Sequence, residues 1–208
     1  MSAPENRRPL TSRNSAWAGR LASWAVAREI TPNQISQASM GFAAAGFFLY
    51  AISTQGGVVQ FLALLLAAAT LQARLVCNLI DGMVAIEGGR GAKDGPFWNE
   101  APDRVSDLLF FAGAGLAAGR PGLGLFAAAL AIATAYIREL GRAEGFPPDF
   151  SGPLAKPQRM AVLTAGTVLA AFYASQWTLT VTLWIIVVGT AATVIRRSWT
   201  LIECLKAR

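Results

Sequence analysis

Five polar side chains lie at helical spacing near the ends of two apolar segments, and together they could bind a cation. Asn78 and Asp81 are three residues apart, and Asn99, Asp103 and Asp107 follow at intervals of four. Residues at these intervals share one face of a helix. A carboxylate beside hydrocarbon costs about 2.5–3.5 kcal/mol at a helix centre. Three such aspartates need a compensating partner, and a divalent cation with hard oxygen ligands is the simplest one.

A second group of residues could bind a phosphate. Four basic side chains surround one glycine- and proline-rich segment, at Arg138, Arg142, Lys156 and Arg159. Basic side chains near a metal site suggest a bound phosphate. The alternative is that these four residues lie on the cytoplasmic side of the membrane and bind no ligand. Their concentration around one loop favours a binding site.

The composition predicts an all-α integral membrane protein. Hydrophobic residues make up 54% of the 208 residues and charged residues 14%, and the mean hydropathy is +0.43. Six apolar runs approach the roughly 20 residues that cross a bilayer. They are residues 33–53, 58–80, 100–119, 121–141, 159–175 and 177–195. We therefore expect six transmembrane helices in one domain over residues 30–208, after a cytoplasmic segment over residues 1–29.

The distribution of charge predicts how these helices cross the membrane. The net charge is +6, and six crossings would place nearly all basic residues on one side, with only Arg120 on the other. Both termini and the acidic residues are then cytoplasmic, in the inner membrane. The basic character thus indicates contact with anionic headgroups and not with nucleic acid. The absence of histidine excludes His-based zinc sites and Ser-His-Asp triads.

A short helix is expected before the first transmembrane helix. Over residues 14–29, Trp17, Leu21 and Trp24 share one helical face. Tryptophan favours the headgroup level, so this pattern predicts an interfacial helix on the cytoplasmic leaflet. An ordinary packing helix is the alternative. Thr31 and Pro32 then fit the start of the first transmembrane helix.

The acidic pattern resembles that of the class I CDP-alcohol phosphatidyltransferases. This family carries D-x2-D-G-x2-A-R-x8-G-x3-D-x3-D across its second and third transmembrane helices. The corresponding residues here are Asn78, Asp81, Gly82, Ala85, Ile86, Gly95, Asn99 and Asp103. The intervals match across 26 positions, and three of the eight residues differ. The I-T-P-N segment over residues 30–33 and the segment over residues 136–159 are also similar to this family.

The resemblance implies a transferase in phospholipid biosynthesis. Such an enzyme moves a phosphatidyl or phosphoalcohol group from a CDP-activated donor, such as CDP-diacylglycerol, to an alcohol and releases CMP. Mg²⁺ or Mn²⁺ would bridge the acids and the donor pyrophosphate. Asp103 would take the proton from the acceptor hydroxyl. The family is often dimeric, so a homodimer is expected.

The resemblance also implies a role for each matching residue. The metal ligands would be Asn78, Asp81, Asn99, Asp103 and, as an additional candidate, Asp107. The nucleotide would contact Asn78, Asp81, Gly82, Ala85 and Gly95, where small side chains let it approach the helix. A phosphorylated acceptor would be bound by Arg138, Arg142, Lys156 and Arg159.

Three departures from the family pattern leave alternatives open. The two asparagines lower the formal charge of the four acid positions from −4 to −2, and Glu100 and Asp107 are the candidates to compensate. Ile86 replaces an arginine that would contact the phosphate or nucleotide. A register that uses Asp103 and Asp107 as the last two acids is less favoured, because it puts Asn99 where the family has glycine.

Two other functions remain open. A relative that binds lipid or nucleotide without catalysis would explain the substitutions at residues 78, 86 and 99. An ion or solute transporter would also carry acids within the membrane. The acids of this chain lie near the cytoplasmic end, whereas transporter sites usually lie at the midplane. The simplest alternative for Asp81 and Asp103 is that both are solvated charges at helix ends.

Overall fold

The computed structural model describes residues 15–87 and 93–208, and these form seven α-helices. The helices are α1 (Ala16–Ala27), α2 (Pro32–Ser53), α3 (Gly57–Glu87), α4 (Gly95–Ala117), α5 (Pro121–Ala143), α6 (Lys156–Phe172) and α7 (Ser175–Lys206). The predicted all-α class is confirmed. The charges and prolines of residues 1–13 predict disorder, and the paired glycines Gly88 and Gly89 predict the end of a helix. Both segments lie outside the described residues.

Within the described part, four helices are long and apolar enough to cross a membrane by length and composition. They are α2, α3, α5 and α7, and they make the chain an integral membrane protein. The other two predicted spans are also helices. However, α4 carries Glu100, Asp103, Arg104 and Asp107, and α6 has only 17 residues. The count of six transmembrane helices therefore stays a prediction.

The chain divides into two compact units, and the boundary falls inside α4. One unit holds the described residues up to Phe110, which are α1, α2, α3 and the first part of α4. The other unit holds residues 111–208, which are the end of α4 with α5, α6 and α7. The predicted boundary at residue 29 lies between α1 and α2.

In the first unit, α1 packs on the segment of α3 that carries Asp81. A stripe of alanines on α1 is buried, at Ala18, Ala22 and Ala25. Small side chains let α1 lie close against Leu79, Ile80, Met83 and Val84 of α3. The opposite face of α1 exposes Trp17, Leu21 and Trp24. The predicted shared face is therefore correct, and its contact with the membrane surface stays a prediction.

The start of α2 follows the sequence signal. Thr31 Oγ1 accepts a hydrogen bond from the Gln34 N–H at 3.2 Å, and Gln34 Oε1 accepts one from the Thr31 N–H at 2.9 Å. This reciprocal pair is a capping box, and Pro32 occupies the first helical turn. The predicted N-terminus of this helix is confirmed.

Helix α4 begins earlier than the sequence pattern predicts. The apolar run begins at residue 100 and the polar residues before it, including Gly95 and Pro96, are typical of a loop, but both belong to the first turn of α4. The reason is that proline fits a first turn, where its missing N–H has no helical partner. Asp94 holds this start in place: its carboxylate accepts from Asn33 Nδ2 at 3.2 Å and from Trp98 Nε1 at 2.9 Å. Another proline, Pro102, lies inside α4 and is buried.

In the second unit, two glycines let the end of α4 approach α5. A Cβ on Gly124 would lie 2.8 Å from Gly115 Cα and nearer still to the Phe111 carbonyl oxygen. Both neighbours are backbone atoms, which cannot move aside as a flexible side chain can. The contact therefore requires glycine.

We expect Gly124→Ala to destabilise this unit by roughly 1–3 kcal/mol, the usual cost of overpacking. The thermal unfolding midpoint of the purified protein in detergent measures the effect. Gly122→Ala is the matched control, because a Cβ at Gly122 meets no atom within 4 Å. Equal midpoints for the two variants would contradict this prediction.

Candidate functional site

The polar faces of α3 and α4 meet through a buried arginine. Arg74 lies four residues before Asn78 and seven before Asp81, so the three share one face of α3. Its Nη2 lies 2.9 Å from Asp103 Oδ1 and 3.3 Å from Asp107 Oδ1. These ion pairs bring the predicted face of α4 against the predicted face of α3.

Arg74, Asp103 and Asp107 differ in how deeply their side chains are buried. The side chain of Arg74 is 0% exposed and that of Asp107 is 1% exposed, whereas that of Asp103 is 13% exposed. Asp103 is therefore the more accessible of the two carboxylates. Asp107, which was predicted as an additional metal ligand, is a buried counter-anion of Arg74 in this structure, and its role as a ligand stays a prediction.

The carboxylate of Asp81 is oriented by a hydrogen bond from α2. Its Oδ2 accepts a hydrogen bond from Ser36 Oγ of α2 at 3.1 Å, and its Oδ1 accepts from the Gly82 N–H at 2.5 Å. The hydroxyl of Ser36 and the backbone at Gly82 thus orient a carboxylate that stands on α3. Ser36 was not among the predicted site residues, because nothing in the local sequence indicates that α2 reaches Asp81.

The remaining predicted residues lie along the same two helices. Asn78 and Ala85 are half-buried on α3, and Asn99 is exposed on α4. Gly95 starts α4, and a Cβ there would meet no atom within 4 Å. Because α3 and α4 are consecutive helices, the residues at the end of α3 lie opposite the residues at the start of α4. With Arg74 opposite Asp103, this register sets Asn78 and Asp81 toward the start of α4.

The available donors fit a hard divalent cation only if the asparagines take part. Over residues 15–87 and 93–208, no three His, Cys, Asp or Glu side chains gather closely enough to hold a metal ion. Asp81 and Asp103 supply one negative charge each, and Asn78 and Asn99 supply amide oxygens. Carboxylate and amide oxygens are the ligand types of Mg²⁺ and related ions. In donor chemistry and charge, the set fits one such ion.

The second unit contains a pair of buried arginines that converge on Thr134 of α5. Arg159 is 3% exposed, and its Nη1 donates to Thr134 Oγ1 and to the Leu154 carbonyl, each at 3.3 Å. Arg197 is 6% exposed, and its Nη1 donates to the Thr134 carbonyl at 2.9 Å. Its Nε donates to the Ser151 carbonyl at 2.9 Å. Two cationic groups are therefore held together between α5, α6 and α7.

Arg197 was not among the predicted site residues. It lies on α7, far along the chain from the loop that carries the other basic residues, and it follows the sixth apolar run, where a basic residue is expected on the cytoplasmic side. A usable signal exists in its periodicity: Thr190, Thr193 and Arg197 are spaced to share one face of α7, and all three are buried.

The other predicted basic residues are arranged differently. Arg138 lines a groove together with Asp149, Arg197 and Cys204. It also pairs with Glu139 at 2.8 Å and lies over the Phe150 ring at 5.5 Å. Lys156 is half-buried at the first position of α6. Arg142 is exposed and pairs with Glu139 at 2.8 Å, so it does not join the buried arginines.

Comparison with known proteins identifies relatives of one kind. No family model matches the chain. A phosphatidylinositol phosphate synthase of Mycolicibacterium smegmatis is 28% identical in an alignment of 135 positions that covers 59% of this chain and 59% of that protein. A phosphatidylinositol phosphate synthase of Mycobacteroides abscessus is 27% identical in an alignment of 130 positions that covers 58% of this chain and 57% of that protein. The match thus spans less than two thirds of these relatives.

Solved structures share the fold over a larger part of the chain. The phosphatidylinositol phosphate synthase of Mycobacterium tuberculosis, solved with CDP-DAG bound, has a TM-score of 0.75 and 21% identity and covers 90% of this chain and 94% of that chain. The same enzyme, solved with manganese and citrate, has a TM-score of 0.73 and 21% identity and covers 88% of each. At this level of identity the similarity establishes the fold.

Proposed function

We propose that this protein is a membrane-embedded transferase that moves the phosphatidyl group of CDP-diacylglycerol to an alcohol and releases CMP. The observation that carries this proposal is the contact between the polar faces of α3 and α4, where Arg74 reaches Asp103 and Asp107. A solvated charge at a helix end has no need of such a buried partner. The spacing of the motif and the similarity to the synthases support the same reaction.

In this proposal the residues before Phe110 bind the donor. Asp81, Asp103 and the two asparagines would hold a Mg²⁺ or Mn²⁺ ion, which supplies positive charge to the pyrophosphate when bound. Asp103, the more exposed carboxylate of its pair, takes the proton from the acceptor hydroxyl. The alcohol oxygen then bonds to the β-phosphorus, and the bond to CMP breaks. Gly82, Ala85 and Gly95 leave room for the nucleotide.

The acceptor in this proposal is a phosphorylated alcohol. Arg159 and Arg197 are buried side by side at Thr134, and guanidinium groups bind phosphate through paired hydrogen bonds. Arg138 and Lys156 belong to the same proposed binding set, and Arg142 is its most peripheral member. The name of the relatives, phosphatidylinositol phosphate synthase, makes inositol phosphate the first acceptor to test.

The membrane arrangement is part of the proposal. Six transmembrane helices with cytoplasmic termini, as the distribution of basic residues predicts, would put the acidic and basic residues on the cytoplasmic side. The exposed tryptophans of α1 would then lie at the headgroup level. A homodimer is proposed from the resemblance alone.

The purified protein, supplied with CDP-diacylglycerol, Mn²⁺ or Mg²⁺ and a panel of alcohols, tests the reaction. We expect CMP release that requires both the metal and an acceptor, that stops with EDTA and that resumes when excess metal is added. Mass spectrometry of the lipid product identifies the acceptor. If no acceptor supports CMP release and the protein binds no CDP, the proposal is wrong.

A binding protein without catalysis is the second candidate function. The observation in its favour is that Asn78 and Asn99 supply no charge at two of the four acid positions. Such a protein would bind CDP-diacylglycerol in the presence of metal but release no CMP with any acceptor. The same experiment therefore separates the two candidates.

We expect Arg197→Met to raise the KM for a phosphorylated acceptor at least tenfold, because one of two buried guanidinium groups is lost. The KM for CDP-diacylglycerol should change little. Arg196→Met is the matched control, since Arg196 is the neighbouring arginine of α7 and is exposed. Steady-state kinetics with each substrate varied in turn provides the measurement. An equal rise in both KM values would contradict an acceptor-specific role.

A further inference from the structure

We propose that Arg74 is a positioning residue for the transfer reaction. It acts as a permanent counter-cation that holds the Asp103 carboxylate in place and uses Asp107 as its own buried partner. This inference deepens the proposed function and rests on it, because Asp103 is the group that takes the acceptor proton. The distances of 2.9 Å to Asp103 and 3.3 Å to Asp107 are those of charge-assisted hydrogen bonds.

The first argument is that stability alone does not explain a buried arginine at this position. Arg74 is fully buried, and its Nε and Nη1 have no hydrogen-bond partner among the described residues. Buried N–H groups without a partner are unfavourable. Apolar residues of similar volume often stabilise a protein as well as a buried ion pair does. The unfavourable burial of Arg74 is therefore explained by its ion pairs with Asp103 and Asp107, which orient these carboxylates.

The second argument is that the two carboxylates are not equivalent. Asp107 is 1% exposed and lies one helical turn deeper in α4, whereas Asp103 is 13% exposed. A single nitrogen, Nη2, contacts both of them through their Oδ1 atoms. Asp107 thus fixes Arg74, and Arg74 fixes the side-chain orientation of Asp103. A shift of about 1 Å in a reacting group is enough to lower a rate about 100-fold.

The third argument concerns charge. Without Arg74, Asp103 and Asp107 would be two negative charges one helical turn apart, and a divalent cation would be drawn between them. The guanidinium leaves this pair with one net negative charge. Arg74 therefore keeps Asp107 from serving as a metal ligand, so that a cation binds with Asp81 and Asp103.

Three variants test this inference. Arg74→Met removes the cation and leaves both carboxylates. Arg74→Met combined with Asp107→Asn removes one positive and one negative charge together, so the local net charge is unchanged. Arg74→Lys keeps the charge but not the forked geometry. Arg208→Met is the control, because Arg208 is exposed and pairs with Glu144 at 3.4 Å, away from Asp103 and Asp107.

The measurements are kcat and KM for CMP release and the Kd for Mn²⁺ without substrate, obtained by electron paramagnetic resonance of the free ion. We expect the double variant to have a kcat about 100-fold lower, with KM for CDP-diacylglycerol and Kd for Mn²⁺ within about threefold of the wild-type values. Arg74→Met should bind Mn²⁺ about tenfold more tightly and yet turn over more slowly. Arg74→Lys should recover part of the lost kcat.

Several outcomes overturn the inference. A double variant with wild-type kcat would show that Arg74 does not position Asp103, and a folded Arg74→Met with unchanged Mn²⁺ affinity would show that it is not a counter-cation of the site. If Arg74→Met does not fold, the double variant decides. If the wild-type protein releases no CMP, the proposed function fails, whereas the Mn²⁺ measurement still supports or overturns the role of Arg74.

Discussion

Replacing Asp103 with asparagine is expected to lower the rate of CMP release by about 10²–10⁴-fold, the usual contribution of a general base. An amide has nearly the same shape as a carboxylate, so it keeps a possible ligand oxygen and a hydrogen-bond partner for Arg74. However, it cannot take the proton of the acceptor hydroxyl. We therefore expect kcat to fall while the KM for CDP-diacylglycerol changes by less than about tenfold.

The control for this variant is Glu144→Gln, which removes an exposed carboxylate that contacts only Arg208 among its described ion pairs. It should retain the wild-type rate. Thermal unfolding of both variants separates loss of chemistry from loss of fold. An Asp103→Asn protein that is folded and as active as the wild type would rule out Asp103 as the base. Asp107 would then be the next carboxylate to test as the base.

Replacing Asp81 with asparagine is expected to weaken Mn²⁺ binding at least about 100-fold, because it removes one of the two carboxylates that the site can offer a cation. Loss of residues that only orient a metal ligand already costs 10–100-fold in affinity. Half-maximal CMP release should then require a correspondingly higher metal concentration. The measurement is a Mn²⁺ titration of binding and of activity on the same preparation.

The opposite change provides the matched control. Asn78→Asp adds a carboxylate at a position that is an acid in the resembling family, one helical turn from Asp81 on the same face of α3. We expect it to tighten Mn²⁺ binding about tenfold, since one more negative charge faces the cation. If Asp81→Asn and Asn78→Asp both leave the affinity unchanged, the metal does not bind between α3 and α4.

Local signals in the sequence predict much of the fold. Each of the six apolar runs lies wholly or mostly within one helix, the start of α2 follows from Thr31 and Pro32, and the exposed face of α1 follows from the spacing of its tryptophans. These features depend on neighbouring residues, on propensity and on periodicity. The start of α4 at Gly95 was missed, because a glycine followed by a proline is typical of loops as well as of first turns.

The partners of the site residues could not be predicted in the same way. Arg74 lies within the second apolar run and Arg197 just after the sixth, and neither position by itself indicates a role in a site. Their roles depend on contacts with Asp103, 29 residues away in the chain, and with Thr134, 63 residues away. No local pattern specifies such contacts, since the same arginines would serve equally well at the membrane surface.

Pro102 interrupts the backbone hydrogen bonding of α4 between Asn99 and Asp107. A proline has no N–H, so the Trp98 carbonyl lacks the hydrogen bond that would join these two successive turns. The turns on either side of this gap are held by different helices: Asp94 at the start of α4 accepts from Asn33 of α2, whereas Asp103 and Asp107 contact Arg74 of α3. The orientation of Asn99 relative to Asp103 therefore depends on how α2 packs against α3 as well as on the continuity of α4.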